Sequence, residues 1–247
     1  MNQLEINAKA VELRKKYGED ENSYIDIFAL VNQITDLTLV LYPMGEHISG
    51  ICIKNEGANL IAINSSMTYG RQRYSLAHEL YHLLFDNSEG VSISAKSFDF
   101  DSENEKTADC FASYLLAPYN ALRSMIQKKE TTQLSLRDII SLEQNFGMSH
   151  RAMLRRLVAD GFIDQKFADE IAGNPLVYAK QYGYDDKLYL PTSENKQKST
   201  YGNYIVQVAE LKEREIISIG KYEELLLDAF RYDIVYGEDD IGGIIDD

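Results

Sequence analysis

Cysteine is scarce, with only Cys52 and Cys110 among 247 residues. That excludes a disulfide framework and a four-cysteine metal site, and both residues read as small members of a core. No window holds the unbroken apolar run of about 20 residues that a membrane span requires. The N-terminal stretch, an amphipathic helix carrying Arg14, Lys15 and Lys16, lacks the apolar centre and small-residue cleavage site of a signal peptide. Positive charge is also short. Lys and Arg number 25 against 39 Asp and Glu, a net of −14. Such a chain repels nucleic-acid phosphates unless a local basic face exists. Residues 121–166 offer a mild one, with eight Lys/Arg against five Asp/Glu. Together these absences point to the cytoplasm, to no membrane contact and away from nucleic acid as a general partner.

What is present is enough apolar residue, 45%, for one large domain or a main domain with an appendage. Helical patterns are expected at about 3–17, closed by Gly18, and at 25–34. Three short apolar runs, Leu37–Leu41, Ile51–Ile53 and Leu60–Ile63, are rich in β-branched residues and read as strands. A helix capped by Ser65 or Ser66 should then run to Phe85, and 90–101 reads as a loop. Glu103–Leu116 is expected to be helical and to stop at Pro118, which can open the next helix. Ser135 and Asp138 form a capping-box-like start, Gly147 is a C-cap candidate, and Ser149 can cap a helix that ends at Gly161. That is a helix–short turn–helix unit. Strand-like pieces near 176–190, a polar segment at Ser193–Ser199, helices near 203–213 and 218–231, and an acidic, frayed tail at 238–247 complete the chain. The class is α+β. The expected organisation is a main domain over 1–130, the helical unit over 131–165 and a mixed C-terminal region over 166–247.

Tyr74-Ser-Leu-Ala-His78-Glu79-Leu-Tyr-His82 is the informative segment. Residues four apart stack on one helical face, so both imidazoles can reach a single Zn²⁺ ion. Glu79 lies one step round and is placed to take the proton of an attacking water rather than to bind the metal. With four histidines in the chain, the pattern arises by accident in well under about one chain in a hundred. A catalytic zinc site uses three protein ligands. His47 and His150 have no partner at ligand spacing and read as structural or exposed, which leaves a downstream carboxylate. Glu105 and Asp109 share a helical face. Glu105 can complete the shell, and Asp109 can orient a liganding histidine from behind. Glu103, two residues away, is the alternative third ligand.

These residues, with Phe111-Ala112, Leu115-Leu-Ala-Pro118 and the approach Arg71-Gln-Arg-Tyr-Ser-Leu-Ala-His78, resemble the ImmA/IrrE family of zinc metallopeptidases over about Leu60–Pro118. The resemblance implies a reduced zincin fold, Zn²⁺ held by His78, His82 and Glu105, and Glu79 as general base. It also implies a protein substrate, usually a helix-turn-helix repressor whose cleavage releases stress-response or mobile-element genes. Tyr81 and Ala117 depart from the family, which often has Gly and Met there.

Three further expectations concern the surroundings. Asn59–Asn64 is either a sheet edge that holds extended substrate or an ordinary internal strand. Tyr69, Arg71, Arg73, Tyr74 and Tyr114 are candidate donors to an oxyanion, each equally readable as structural. The unit at 135–161, with Ser149-His-Arg151, Arg155 and Arg156 on its second helix, supports an alternative function as a DNA- or protein-binding regulator. In that alternative the zinc site is structural or weakly active.

Overall fold

The computed structural model describes residues 2–55, 57–86, 90–95, 102–129 and 133–237. The acidic tail and the second half of the expected 90–101 loop lie outside the described residues. Helix α1 (Gln3–Lys16) opens on a capping box between Asn2 and Glu5, and α2 (Ile27–Val31) is capped by Asp26. Strands β1 (Leu37–Tyr42), β2 (Ile48–Lys54) and β3 (Asn59–Asn64) follow. Next come helix α3 (Tyr69–Phe85), strand β4 (Gly90–Ala95), and helices α4 (Glu103–Leu116) and α5 (Tyr119–Gln127). The remaining elements are α6 (Leu136–Phe146), α7 (His150–Ala159), α8 (Gln165–Ile171), α9 (Pro175–Gln181), β5 (Ser199–Gly202), α10 (Asn203–Glu213), α11 (Ile219–Asp228) and α12 (Tyr232–Tyr236). The fold is α+β, a zincin-like domain joined to a helical region.

The five strands form one mixed sheet in the order β4-β2-β3-β1-β5. β1 and β3 run parallel, with Leu39 beside Ile61, and the other pairings are antiparallel. β3 is therefore an internal strand, so of the two readings of Asn59–Asn64 the internal strand holds and the substrate edge does not. The edges of the sheet, among the described residues, are β4 and β5. β5 arrives from the C-terminal region and pairs Tyr201 with Leu39, so that region completes the sheet.

The loop expected at Gly90 is strand β4. The strand-like stretch at 176–190 contains α9, set by the Asn174 cap and Pro175 in its first turn, and a 3-10 turn at Lys187–Tyr189. A fixed proline φ suits a helix start and outweighs the strand preference of Val177 and Tyr178. α3 begins after Thr68; Ser66 instead hydrogen-bonds to Asn64. Pro118 precedes α5 as its cap residue.

α3 crosses β2 and β3 and packs along α4, where Phe111 meets the rings of Tyr81 and Phe85 at 5.7 and 5.2 Å. Its other end is held by α6 and α7. The Ser135/Asp138 capping box starts α6 and Gly147 ends it with φ 63°, the left-handed turn that glycine adopts at no steric cost. Buried Arg73 reaches across from α3 and donates to the Gly147 carbonyl at 2.9 Å, to Tyr24 Oη and to the Ile25 carbonyl. Leu134, Ile139, Leu142, Phe146, Met153 and Leu157 share one apolar core with α3, α4 and the sheet. No helix among the described residues is long and apolar enough to cross a membrane.

Candidate metal centre

Both histidines of α3 are buried and face α4. His78 Nε2 and His82 Nε2 stand 3.1 Å apart, and Glu105 places Oε2 3.1 Å from the first and Oε1 3.2 Å from the second. Ligand atoms 2.0–2.1 Å from a tetrahedral ion lie about 3.3–3.4 Å from one another, so the three donors have the spacing of one face of such a shell. Behind them, His78 Nδ1 meets Asp109 Oδ1 at 3.1 Å and His82 Nδ1 meets Asp86 Oδ2 at 3.3 Å. A carboxylate at each Nδ1 keeps a ring proton there and turns the Nε2 lone pair inward. Two imidazole lone pairs and a carboxylate oxygen aimed at one point repel each other unless a cation sits between them. The residues therefore fit a divalent metal.

The same convergence shows in protonation. Burial pushes the His78 imidazole down, yet the Asp109 and Glu105 carboxylates outweigh it and bring it to about 9. Burial pushes Glu105 up, but the two histidines hold it at about 2. In the metal-free chain a proton is thus retained where the donor set accommodates a cation.

The carboxylates divide sharply. Glu103, the alternative ligand, has an 88% exposed side chain and pairs with Lys106 on the outer face of α4. Glu105 faces the histidines. Asp109 is buried and holds Arg155 Nη1 at 3.1 Å on its second oxygen, while Tyr74 Oη donates to its backbone carbonyl at 2.8 Å. Asp86, steadied by Asn104 at 2.6 Å, was missed in the sequence. Its signal is the same four-residue spacing, His82 to Asp86, that singled out Glu105 and Asp109.

Glu79 points to the sheet side of α3 with 0% exposure. Neither of its oxygens makes a fully formed hydrogen bond among the described residues. Burial raises its pKa, and His78 and the adjoining Ser94 hydroxyl oppose that rise. Ser94 comes from β4 and Ser49 from β2; Ser49 Oγ donates to the Ser94 carbonyl at 3.2 Å. Gly50 was also missed. A methyl group at its Cα would lie 2.5 Å from Glu79 Oε1. A glycine inside a strand signals such a close approach.

Of the oxyanion candidates, Arg73 is consumed in the hydrogen bonds described above and Tyr114 lies under the Arg156 guanidinium at 4.0 Å. Tyr69 stacks on Phe28. Arg71 and Tyr74 border the small space beside His78 together with Ser49, Ser75 and Ser94. His47 is exposed. Of the arginines of α7, Arg156 is buried while Arg151 and Arg155 are exposed. Arg156 is buried against Asp160, Ser113 and the Ala117 carbonyl, and Arg155 is paired with Asp109. The buried Arg156 and the Asp109-bound Arg155 thus shorten the cationic row that a groove-binding helix presents to phosphates.

Residues 37–158 match the family described as Peptidase_M78, IrrE N-terminal-like domain. No curated protein matches the chain.

Proposed function

Because residues 37–158 make this chain a member of the ImmA/IrrE peptidase family, we propose that it is a zinc-dependent endopeptidase that cleaves a helix-turn-helix repressor. Such a cut would relieve repression of stress-response or mobile-element genes. The convergence of His78, His82 and Glu105 Oε atoms at 3.1–3.2 Å beside a buried Glu79 supports this reading most directly. His78, His82 and Glu105 would hold the zinc ion, which would supply Lewis acidity for the scissile carbonyl and the attacking water. His78 and His82 hold their inward lone pairs through Asp109 and Asp86. Glu79 takes the water proton at a carboxylate oxygen and passes it to the leaving amine, a role favoured by the upward push of burial on its pKa.

Extended substrate would join the open side of β4, because that strand is a sheet edge and its Ser94 adjoins Glu79. Main-chain pairing would supply affinity and alternate side chains would supply choice. A cytoplasmic location, where repressors act and both cysteines stay reduced, fits this reading. The alternative function through the 135–161 unit is weakened by the burial of Arg156 and the pairing of Arg155 with Asp109.

Gly50→Ala should leave the metal in place and lower turnover by about 10²-fold, since the added methyl must displace the Glu79 carboxylate. Steady-state peptidase assays beside metal analysis check it; wild-type turnover would show that Glu79 has room to spare. For the substrate, the zinc-loaded chain is incubated with helix-turn-helix repressors of its own genome and new N-termini are sequenced. One discrete cut, abolished by a chelator, is expected. Intact repressors in the presence of a zinc-loaded chain would remove that substrate class.

A further inference from the structure

A cavity of about 950 Å³ lies away from the metal donors, between the N-terminal end of α3 and helices α7, α8 and α9. That is the upper range of small-molecule sites. Its wall carries Arg71 from α3 and Arg151 and Arg155 from α7, against one carboxylate, Asp169 of α8. Leu154, Val158 and Ala168 supply apolar surface. Three arginines lining one hollow are unexpected in a chain of net charge −14. They also disfavour one another: after burial, which has the largest effect, Arg151 and Arg155 both push the Arg71 pKa down, while Tyr74 and Asp109 oppose them. His150, on the same wall, is neutralised by Glu143. Ser149 Oγ, also on the wall, is buried with no hydrogen-bond partner among the described residues.

We propose that this cavity binds a small anionic molecule, a phosphate or carboxylate bearing an apolar group, with the anion met by Arg71 and Arg151 and the apolar part lying against Leu154 and Val158. Planar guanidinium forks suit both oxyanions. The peptidase reaction leaves this site unused. Its position nevertheless connects it to the metal centre, because Arg155 also holds Asp109, which orients His78. Arg71 borders both the cavity and the small space beside His78.

The test is calorimetric titration of the full chain with phenyl phosphate and, separately, 3-phenylpropionate. Each titration is run on zinc-loaded and metal-free protein, so that a failure of the metal reading leaves this one testable. One saturable site per chain is expected with at least one probe, and the probe that binds identifies the anion class. Arg151→Ala should weaken it about tenfold or more while leaving zinc content unchanged. Asp169→Asn, which removes the opposing charge, should tighten it severalfold. Absence of saturable binding with both probes, or affinity indifferent to both substitutions, would overturn the proposal.

Discussion

Glu79→Gln is expected to retain about one metal ion per chain and to lose about 10²–10⁴-fold in peptide-bond turnover. The substitution preserves shape. The Glu79 side chain is fully buried against Gly50, where an added Cβ would stand 2.5 Å from its Oε1, so a bulkier change would confound chemistry with packing. Glutamine fills the same space but cannot take up a proton. It also lies outside the donor set of His78, His82 and Glu105, so metal content should not move. The combination distinguishes a general base from a structural acid. Replacing a carboxylate that only packs would change stability and leave turnover nearly intact. Wild-type turnover in Glu79→Gln would sink the mechanism even if zinc were present.

Glu143→Ala is expected to cost about 3–5 kcal/mol of stability, as does removal of one member of a buried ion pair. That is a large part of the roughly 5–15 kcal/mol that holds a typical domain together. Glu143 is fully buried on α6 and bonds His150 Nδ1 of α7 at 2.6 Å and Tyr189 Oη at 2.9 Å. His150 Nε2 meets the Ile171 carbonyl at 2.8 Å. A carbonyl only accepts, so Nε2 carries a proton. Tyr189 donates to Glu143 Oε2, and a single proton lies between His150 Nδ1 and Glu143 Oε1. Glu143 raises the His150 pKa, which favours the ion pair, while burial raises the Glu143 pKa and opposes it. The bonded pair ties α6, α7, the end of α8 and the Lys187–Tyr189 turn together.

Burial pushes the His150 pKa down, but Glu143 and the Ile171 carbonyl raise it overall. A raised folded-state value means that the stabilisation is complete below the unfolded imidazole value of about 6.5. It is lost as pH climbs through the folded value. Urea unfolding of the wild type should show that decline on the alkaline side, and Glu143→Ala should lack it. A loss under about 1 kcal/mol, within the range of ordinary point substitutions, would mean the pair is not buried as described.

Local signals carried much of this architecture. The caps at Ser135 and Gly147, the four-residue spacings in α3 and α4, and the stop at Pro118 are short-range features, and the structure keeps them. β4 was illegible for a physical reason. Its outward residues are apolar, Val91 and Ile93 at 65% and 60% exposure, while Ser94 is buried. The usual alternation is inverted, because the inner face adjoins the polar side of Glu79 rather than an oily core. The place of β3 depends on which strands pair. Its near-continuous apolar run, Leu60-Ile-Ala-Ile63, already suits a strand covered on both faces. His150 looked structural or exposed because its partner, Glu143, lies on a different helix. Asp86 and Gly50 left local signals, a four-residue spacing and a glycine inside a strand, whereas Arg155 gains its place from a contact with Asp109 across the chain that no local pattern encodes.

α3 and α4 together are expected to hold one zinc ion through His78, His82 and Glu105. Elemental mass spectrometry of the purified full chain tests it most directly, comparing wild type with His78→Ala, Glu105→Ala and Glu103→Ala. About one zinc per wild-type chain is predicted, lost in the first two variants and kept in Glu103→Ala. No zinc in the wild type even after reconstitution, or loss in Glu103→Ala with retention in Glu105→Ala, would contradict it.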